Sequence, residues 1–178
     1  MSDEQDQPAK RLRGRLASGV TVWTAGEGRE ATGLTVASAL VTEGEPPRVL
    51  GTVGDLAELL DAVRATGCFV VHLLGHDQRQ LADRFAGLMP VPGGPLRDVD
   101  TRPGPHGPVL SEVGTWAGCR LVDERQVGYP ILLEGAIEEL ALDDLEDPLV
   151  WFRGQYRRLG QARAPWQATG PDSALPDR

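Results

Sequence analysis

Cysteine is scarce in this chain of 178 residues, which has only Cys68 and Cys119. Two cysteines so far apart form no metal-type pair. The start MSDEQDQPAKRLRGR is no signal peptide, so both read as reduced, buried thiols of a cytoplasmic protein. Long apolar runs are also missing, and none approaches the roughly 18–20 residues of a membrane span. Positive charge is short: 18 Lys+Arg stand against 26 Asp+Glu, for a net charge of -8. Such a surface argues against sequence-independent binding to nucleic acid or anionic membrane. Asparagine is absent, and Lys10 is the one lysine among the basic residues. That skew, with 22 Gly and 14 Pro, reads as a coding bias toward G and C, so an arginine here is weaker evidence for anion recognition.

Catalytic signatures are lacking as well. There is no GxSxG, HExxH or P-loop, and no GxGxxG after a strand. The histidines at 72, 76 and 106 have no ligand spacing, and His72, inside an apolar strand, reads as a hydrogen-bonded core residue. GEG at 26–28 falls in a turn rather than a phosphate cradle. No catalytic and no metal-ligating side chain is expected. Chemistry carried by a cofactor suits such a chain, because the protein then supplies shape and hydrogen bonds.

What is present is mostly strand. GVTVWTA (19–25) and ATGLTVASAL (31–40) flank the turn-like GEGRE and predict a hairpin, and RVLGTV (48–53) is a third strand. Leu56, Leu59, Leu60 and Val63 then fall on one helical stripe, with Asp55 at its start and Gly67 at its stop. CFVVHLL (68–74) predicts a buried strand. Asp77 with Gln80 resembles a capping box for a helix over 77–88, with apolar face Leu81, Phe85 and Leu88. Residues 89–108, with six prolines and four glycines, predict a long surface loop. Strand patterns return at 109–122, 130–142 and 148–153, with Asp143, Asp144, Glu146 and Asp147 as a solvated turn. Trp23, Trp116 and Trp151 are expected to pack, and Trp166 to dock on a partner subunit. The expected organisation is a flexible arm over 1–12, one domain over 13–160 and a tail over 161–178. Without strand–helix alternation, the fold class is mostly β: an antiparallel barrel or sandwich with two short helices.

Five stretches in order resemble the short-chain flavin reductase family, whose fold is an FMN-binding split β-barrel. They are RLASGVTVWTA (15–25), GLTVASAL with EPPRVLGTV (33–53), TGCFVVHLL (66–74), DQRQLADRFAG (77–87) and PLVWFRGQYRRL (148–159). The resemblance implies a homodimer that transfers a hydride from NADH or NADPH to FMN (or FAD), and that can supply reduced flavin to a partner monooxygenase. Family positions map a flavin strand onto Thr35, Val36, Ala37 and Ser38. Further expected flavin contacts are Thr52, Val53, Ala57, Leu59, Arg84, Phe85 and Tyr156.

Departures from the family stand beside the matches. A Ser-x-Thr phosphate pair is replaced by Ala57, Glu58 and Leu59, with Asp55 in an upstream basic position. A Gly-Asp-His signature reads Gly128, Tyr129, Pro130, and His72 replaces an asparagine. Two acids repel a phosphate, so weak FMN binding is expected unless Arg84, Arg153 or Arg157 compensates. Two alternatives stay open: a catalytically degenerate split-barrel accessory protein, or a redox protein of the same fold with another cofactor.

Overall fold

The computed structural model describes residues 8–159. Helix α1 (Pro8–Arg13) leads into β1 (Ser18–Gly19) and β2 (Thr21–Ala25). The chain continues through β3 (Thr32–Val36), β4 (Leu40–Thr42), β5 (Arg48–Val53), α2 (Glu58–Thr66), β6 (Cys68–Leu73) and α3 (Arg79–Phe85). A hairpin of β7 (Thr101–Gly104) and β8 (Gly107–Leu110) precedes the long β9 (Trp116–Gln126) and β10 (Ile131–Ala141). Short strands β11 (Val150–Phe152) and β12 (Gln155–Arg157) end the described chain.

Seven strands form one antiparallel sheet in the order β3-β2-β6-β9-β10-β5-β4. Register shifts in β10 at Glu134/Gly135 and Ile137/Glu139 bend the sheet, as bulges do, so that it curls into a barrel. No ladder joins β3 to β5. The Ser38 and Thr52 hydroxyls hydrogen-bond there at 2.9 Å, and the Thr52 N–H donates to Ser38 Oγ at 2.9 Å. That is the split of a split β-barrel with a Greek-key-like strand order.

The barrel is filled by two rings. Trp23 on β2 and Phe69 on β6 stack 4.9 Å apart at 11°, and both are fully buried. Each needs a glycine on the facing wall. A Cβ at Gly51 would lie 2.6 Å from the Trp23 ring, and one at Gly135 would lie 2.5 Å from Phe69. Helix α2 covers this core with Leu59, Leu60 and Val63, and it ends where Gly67 takes φ 71 and its N–H caps Val63 O. A second core of Val20, Val22, Leu81, Phe85, Leu110 and Leu149 seats α3.

The 19–25/31–40 hairpin, the 48–53 strand and the buried 68–74 strand all form. Several sequence expectations are corrected. Residues 8–12, within the flexible arm expected over 1–12, lie in helix α1, with Pro8 at a position where its missing N–H is harmless. Leu56 is 93 % exposed because a turn, Ala57 N–H to Gly54 O, holds it outside the helix; Ala57, not Asp55, is the N-cap residue. Gln78, not Gln80, closes the turn before α3 by accepting the Gly75 N–H at 2.8 Å. Leu88 lies beyond the helix end and is exposed. The proline-rich loop contains the β7–β8 hairpin, where Pro103 faces Pro108, and proline is tolerated on so short a ribbon with no further neighbour. The expected strand 109–122 is two strands separated by a turn at 111–115. Cys68 is only half buried while Cys119 is buried, and both are free thiols. The tail and Trp166 lie outside the described residues.

His72 ties the hairpin to the barrel. Its Nε2 accepts the Leu110 N–H at 3.0 Å, so its Nδ1–H donates to Val22 O, also at 3.0 Å. Burial pushes its pKa down to about 4, against a partial rise from the Val22 carbonyl. Between pH 6.5 and about 4 the unfolded chain therefore binds a proton that the folded chain refuses, and stability falls as pH falls. Across that window the loss is on the order of 3 kcal/mol. His72→Asn keeps a donor and an acceptor without a titrating group. Denaturant melts from pH 7 to pH 4 should show this increment in the wild type and not in the variant; parallel pH profiles would refute it.

Candidate functional site

The seam between β3 and β5 opens into a cavity of about 820 Å³. Its floor is Thr35, Val36, Ala37, Ser38, Ala39 and Thr52, so five of the expected flavin contacts meet in one place. The local sequence explains the floor. β3 ends at Val36 and the small residues Ala37, Ser38 and Ala39 follow, which leaves backbone accessible where a large side chain would fill the space. Three of these groups are already engaged within the protein. Thr35 Oγ1 donates to Ala82 O at 2.6 Å, anchoring α3. Ser38 Oγ and Thr52 Oγ1 bridge the seam; Ser38 Oγ is saturated, donating to Thr52 O and accepting from Thr52 N–H and Oγ1–H, whereas Thr52 Oγ1 keeps its lone pairs.

The walls come from elements that the sequence did not group with the floor. Lys10, Arg13, Leu16 and Ser18 line it together with Trp151, Arg153 and Gly154, two groups that are neighbours because Ser18 pairs with Trp151 in the β1–β11 ladder. The Arg153 N–H donates to Gly14 O at 2.8 Å, which fixes the β11–β12 turn against the end of α1. Arg153 takes φ 52 and Gly154 takes φ 77, the left-handed pair of a two-residue hairpin turn. The sequence signal for this wall was Gly154, which marks a turn but not that the turn meets the end of α1.

The remaining expected contacts lie elsewhere. Ala57, Leu59, Arg84 and Phe85 line a separate cavity of about 390 Å³ with Thr32, Gly33 and Glu58. Phe85 is wedged against Gly33, where a Cβ would sit 2.6 Å from its ring. Arg84 Nε donates to Pro95 O at 2.7 Å and its Nη2 donates to Arg97 O, so its guanidinium holds the 89–99 loop. Val53 and Leu59 bury their side chains in the barrel core, and replacing Leu59 by threonine would place a hydroxyl there. Tyr156 packs edge-on against Trp151, 5.0 Å between centroids, and so supports the cavity wall from behind. Burial, then the Asp83 carboxylate, pushes its phenol up to about 12. Arg157 is exposed and lines neither cavity. Tyr129, in the departed signature, is 90 % exposed at the β9–β10 turn.

Among the described residues, the other titratable groups do not build a second centre. His106 is buried under the β7–β8 turn with its Nε2 3.1 Å from Glu138, and Arg120 meets the same carboxylate at 2.6 Å. Among the described residues, no group of three or more His, Cys, Asp and Glu side chains is arranged to hold a metal ion. No described helix is long and apolar enough to cross a membrane.

Comparison with known proteins adds a context to this geometry. The flavin reductase like domain matches residues 13–160. The reductase component of 4-hydroxyphenylacetate 3-monooxygenase from Thermus thermophilus is 34 % identical over 150 residues, covering 84 % of this chain and 94 % of that protein. An NADH-dependent flavin reductase from a Rhodococcus species is 30 % identical over 153 residues, with 84 % of each chain covered. Among solved structures, the NADH:FAD oxidoreductase SgcE6 of Streptomyces globisporus superposes with a TM-score of 0.78 at 25 % identity, covering 90 % of this chain and 97 % of that one.

Two of the three hydroxyls of the floor, those of Thr35 and Thr52, should separate on mutation. Thr35→Val removes a bond that anchors α3, so stability should drop by about 0.5–1.5 kcal/mol while flavin affinity stays within about threefold. Thr52→Val removes the hydroxyl of the floor that has free lone pairs, and the same energy range corresponds to roughly twofold to tenfold weaker flavin binding. Thermal melts and fluorescence titration read the two effects; equal losses of affinity in both variants would contradict the assignment.

Proposed function

The chain belongs to the flavin reductase like family, and from that premise we propose that it is an NADH-dependent flavin reductase working at the β3–β5 seam. The observation that carries the reading is the seam cavity, where Thr35 to Ser38 and Thr52 converge. Its volume lies within the range of small-molecule sites, roughly 300–1,000 Å³. The residues also suit a flavin chemically: small side chains and backbone on the floor, the Thr52 hydroxyl as an acceptor at the seam, an indole on the wall and cations at the rim.

When bound, the flavin supplies the redox chemistry, taking a hydride from NADH and a proton from solvent to give dihydroflavin and NAD+. This chain's residues position and enclose. The Ser38–Thr52 bridge holds two strand ends at a fixed separation, so the floor needs little reorganisation when ligand arrives. Trp151, backed by Tyr156, forms an apolar wall that keeps water from one side of the cavity. Neither a general acid nor a general base is required at the floor, consistent with a site that lacks His, Asp and Glu.

Two further readings accompany the activity. The reduced flavin is handed to a partner monooxygenase, as befits a relative of the reductase component of the Thermus monooxygenase. A homodimer is the proposed assembly: β4 is an edge strand with Leu40 and Val41 exposed, and an apolar edge calls for a cover.

Two measurements test this. NADH consumption under air should be slow with protein alone and rise strongly on addition of FMN or FAD. A purified protein that neither quenches flavin fluorescence nor oxidises NADH with either flavin would overturn the reading. Sedimentation should give twice the 19.1 kDa chain mass, and Val41→Glu on the exposed edge should shift the mass toward the monomer. A wild-type monomer at micromolar concentration counts against the dimer.

A further inference from the structure

We propose that the anionic tail of the flavin is held by Lys10, Arg13 and Arg153 at the rim of the seam cavity, in place of the start of α2. The inference rests on the flavin reading of that cavity and extends it to the phosphate.

The charge distribution argues for this placement. The start of α2 presents Asp55 and Glu58, no side chain caps the helix there, and Ala57 offers no hydroxyl. Glu58 lines the smaller cavity, where a phosphate would face a carboxylate. Arg84, the cation of that cavity, spends its guanidinium on the Pro95 and Arg97 carbonyls. The seam cavity has the opposite character. Lys10, Arg13 and Arg153 line it, no Asp or Glu does, and none of the three cations is in an ion pair among the described residues. Three cations facing one cavity without a counter-ion repel one another, and a phosphate dianion relieves that repulsion.

The backbone supplies an independent observation. Arg153 occupies the first left-handed position of the β11–β12 turn, φ 52, where asparagine, aspartate or glycine is the easier choice. Strain of this kind concentrates at ligand sites. The Arg153 N–H bond to Gly14 O also ties the turn to the end of α1, so the cation on the turn and those on α1 keep their relation to each other. The expected weak FMN binding is thereby revised: the anion site is absent from α2 and rebuilt across the cavity.

The test compares FMN with riboflavin, which lacks the phosphate, by fluorescence quenching of the full-length protein. The wild type should prefer FMN at least about tenfold at low ionic strength, and the preference should shrink as salt screens the rim. The triple variant Lys10→Gln/Arg13→Gln/Arg153→Gly keeps the turn, because glycine accepts the left-handed position. It should lose FMN affinity by roughly threefold to tenfold per cation removed, between the worth of an exposed ion pair and that of a charge-assisted hydrogen bond, with riboflavin affinity unchanged. Equal binding of the two flavins by the wild type overturns the phosphate site alone and leaves the reductase reading standing. Failure of both flavins to bind overturns both. With riboflavin as acceptor, the KM for NADH should not move in the triple variant. A raised KM with an unaltered flavin preference would assign the rim to the NADH pyrophosphate instead, and would also refute the proposal.

Discussion

Two aromatic rings inside a small barrel set the geometry of everything else. Trp23 and Phe69 are stacked and fully buried, and they have space only because Gly51 and Gly135 remove side chains from the opposite wall. Aromatic burial of this kind supplies a large share of a small core's apolar area. It also fixes how far β2 stands from β5, since the Trp23 ring bridges them. The indole N–H donates to Thr21 Oγ1 at 3.0 Å, and Thr21 in turn donates to Val36 O at 2.6 Å. The ring that fills the barrel is therefore tied to the strand that floors the cavity. An alanine at Gly51 would push on the core and on the seam at once.

The seam follows from that spacing. With the rings as spacer, β3 and β5 come close enough for Ser38 and Thr52 to bridge and remain too few in partners to form a ladder. A sheet that closed fully would have no groove there, and one that stayed open would leave no floor. Site and fold are thus the same feature seen from two sides. Among the described residues no metal cluster is formed, and what they contribute to redox chemistry carried by a flavin is a cavity of fixed width.

How much of this was legible in the sequence depends on the kind of signal. Strands β2, β3, β5 and β6 were legible because apolar, β-branched runs are bounded by turns, and α2 because Leu59, Leu60 and Val63 share a face. Leu56 misled because periodicity extends through a turn that interrupts the helix, and periodicity contains no information about where the backbone leaves its spiral. The β7–β8 hairpin was hidden by prolines that weigh against a strand, although a two-stranded ribbon tolerates them. At the seam cavity, the floor residues are the ones that the family resemblance singles out. The walls are not singled out, because Lys10, Arg13 and Trp151 reach the cavity from parts of the chain far from β3, and no local pattern joins them.

Acidity of the whole chain and basicity of one rim are compatible, and together they constrain the ligand. A net charge of -8 repels anions at long range, but within a Debye length, about 8 Å at physiological salt, the nearest charges dominate. An anionic ligand approaching the α2 side meets Asp55 and Glu58. Approaching the seam, it meets Lys10, Arg13 and Arg153. Repulsion on one side and attraction on the other orient a molecule with one neutral, flat end and one charged end before any hydrogen bond forms. A neutral ring system would feel neither. The arrangement therefore selects for ligands that carry both parts, and it orders them with the flat end over the Ser38–Thr52 floor and the charged end at the rim.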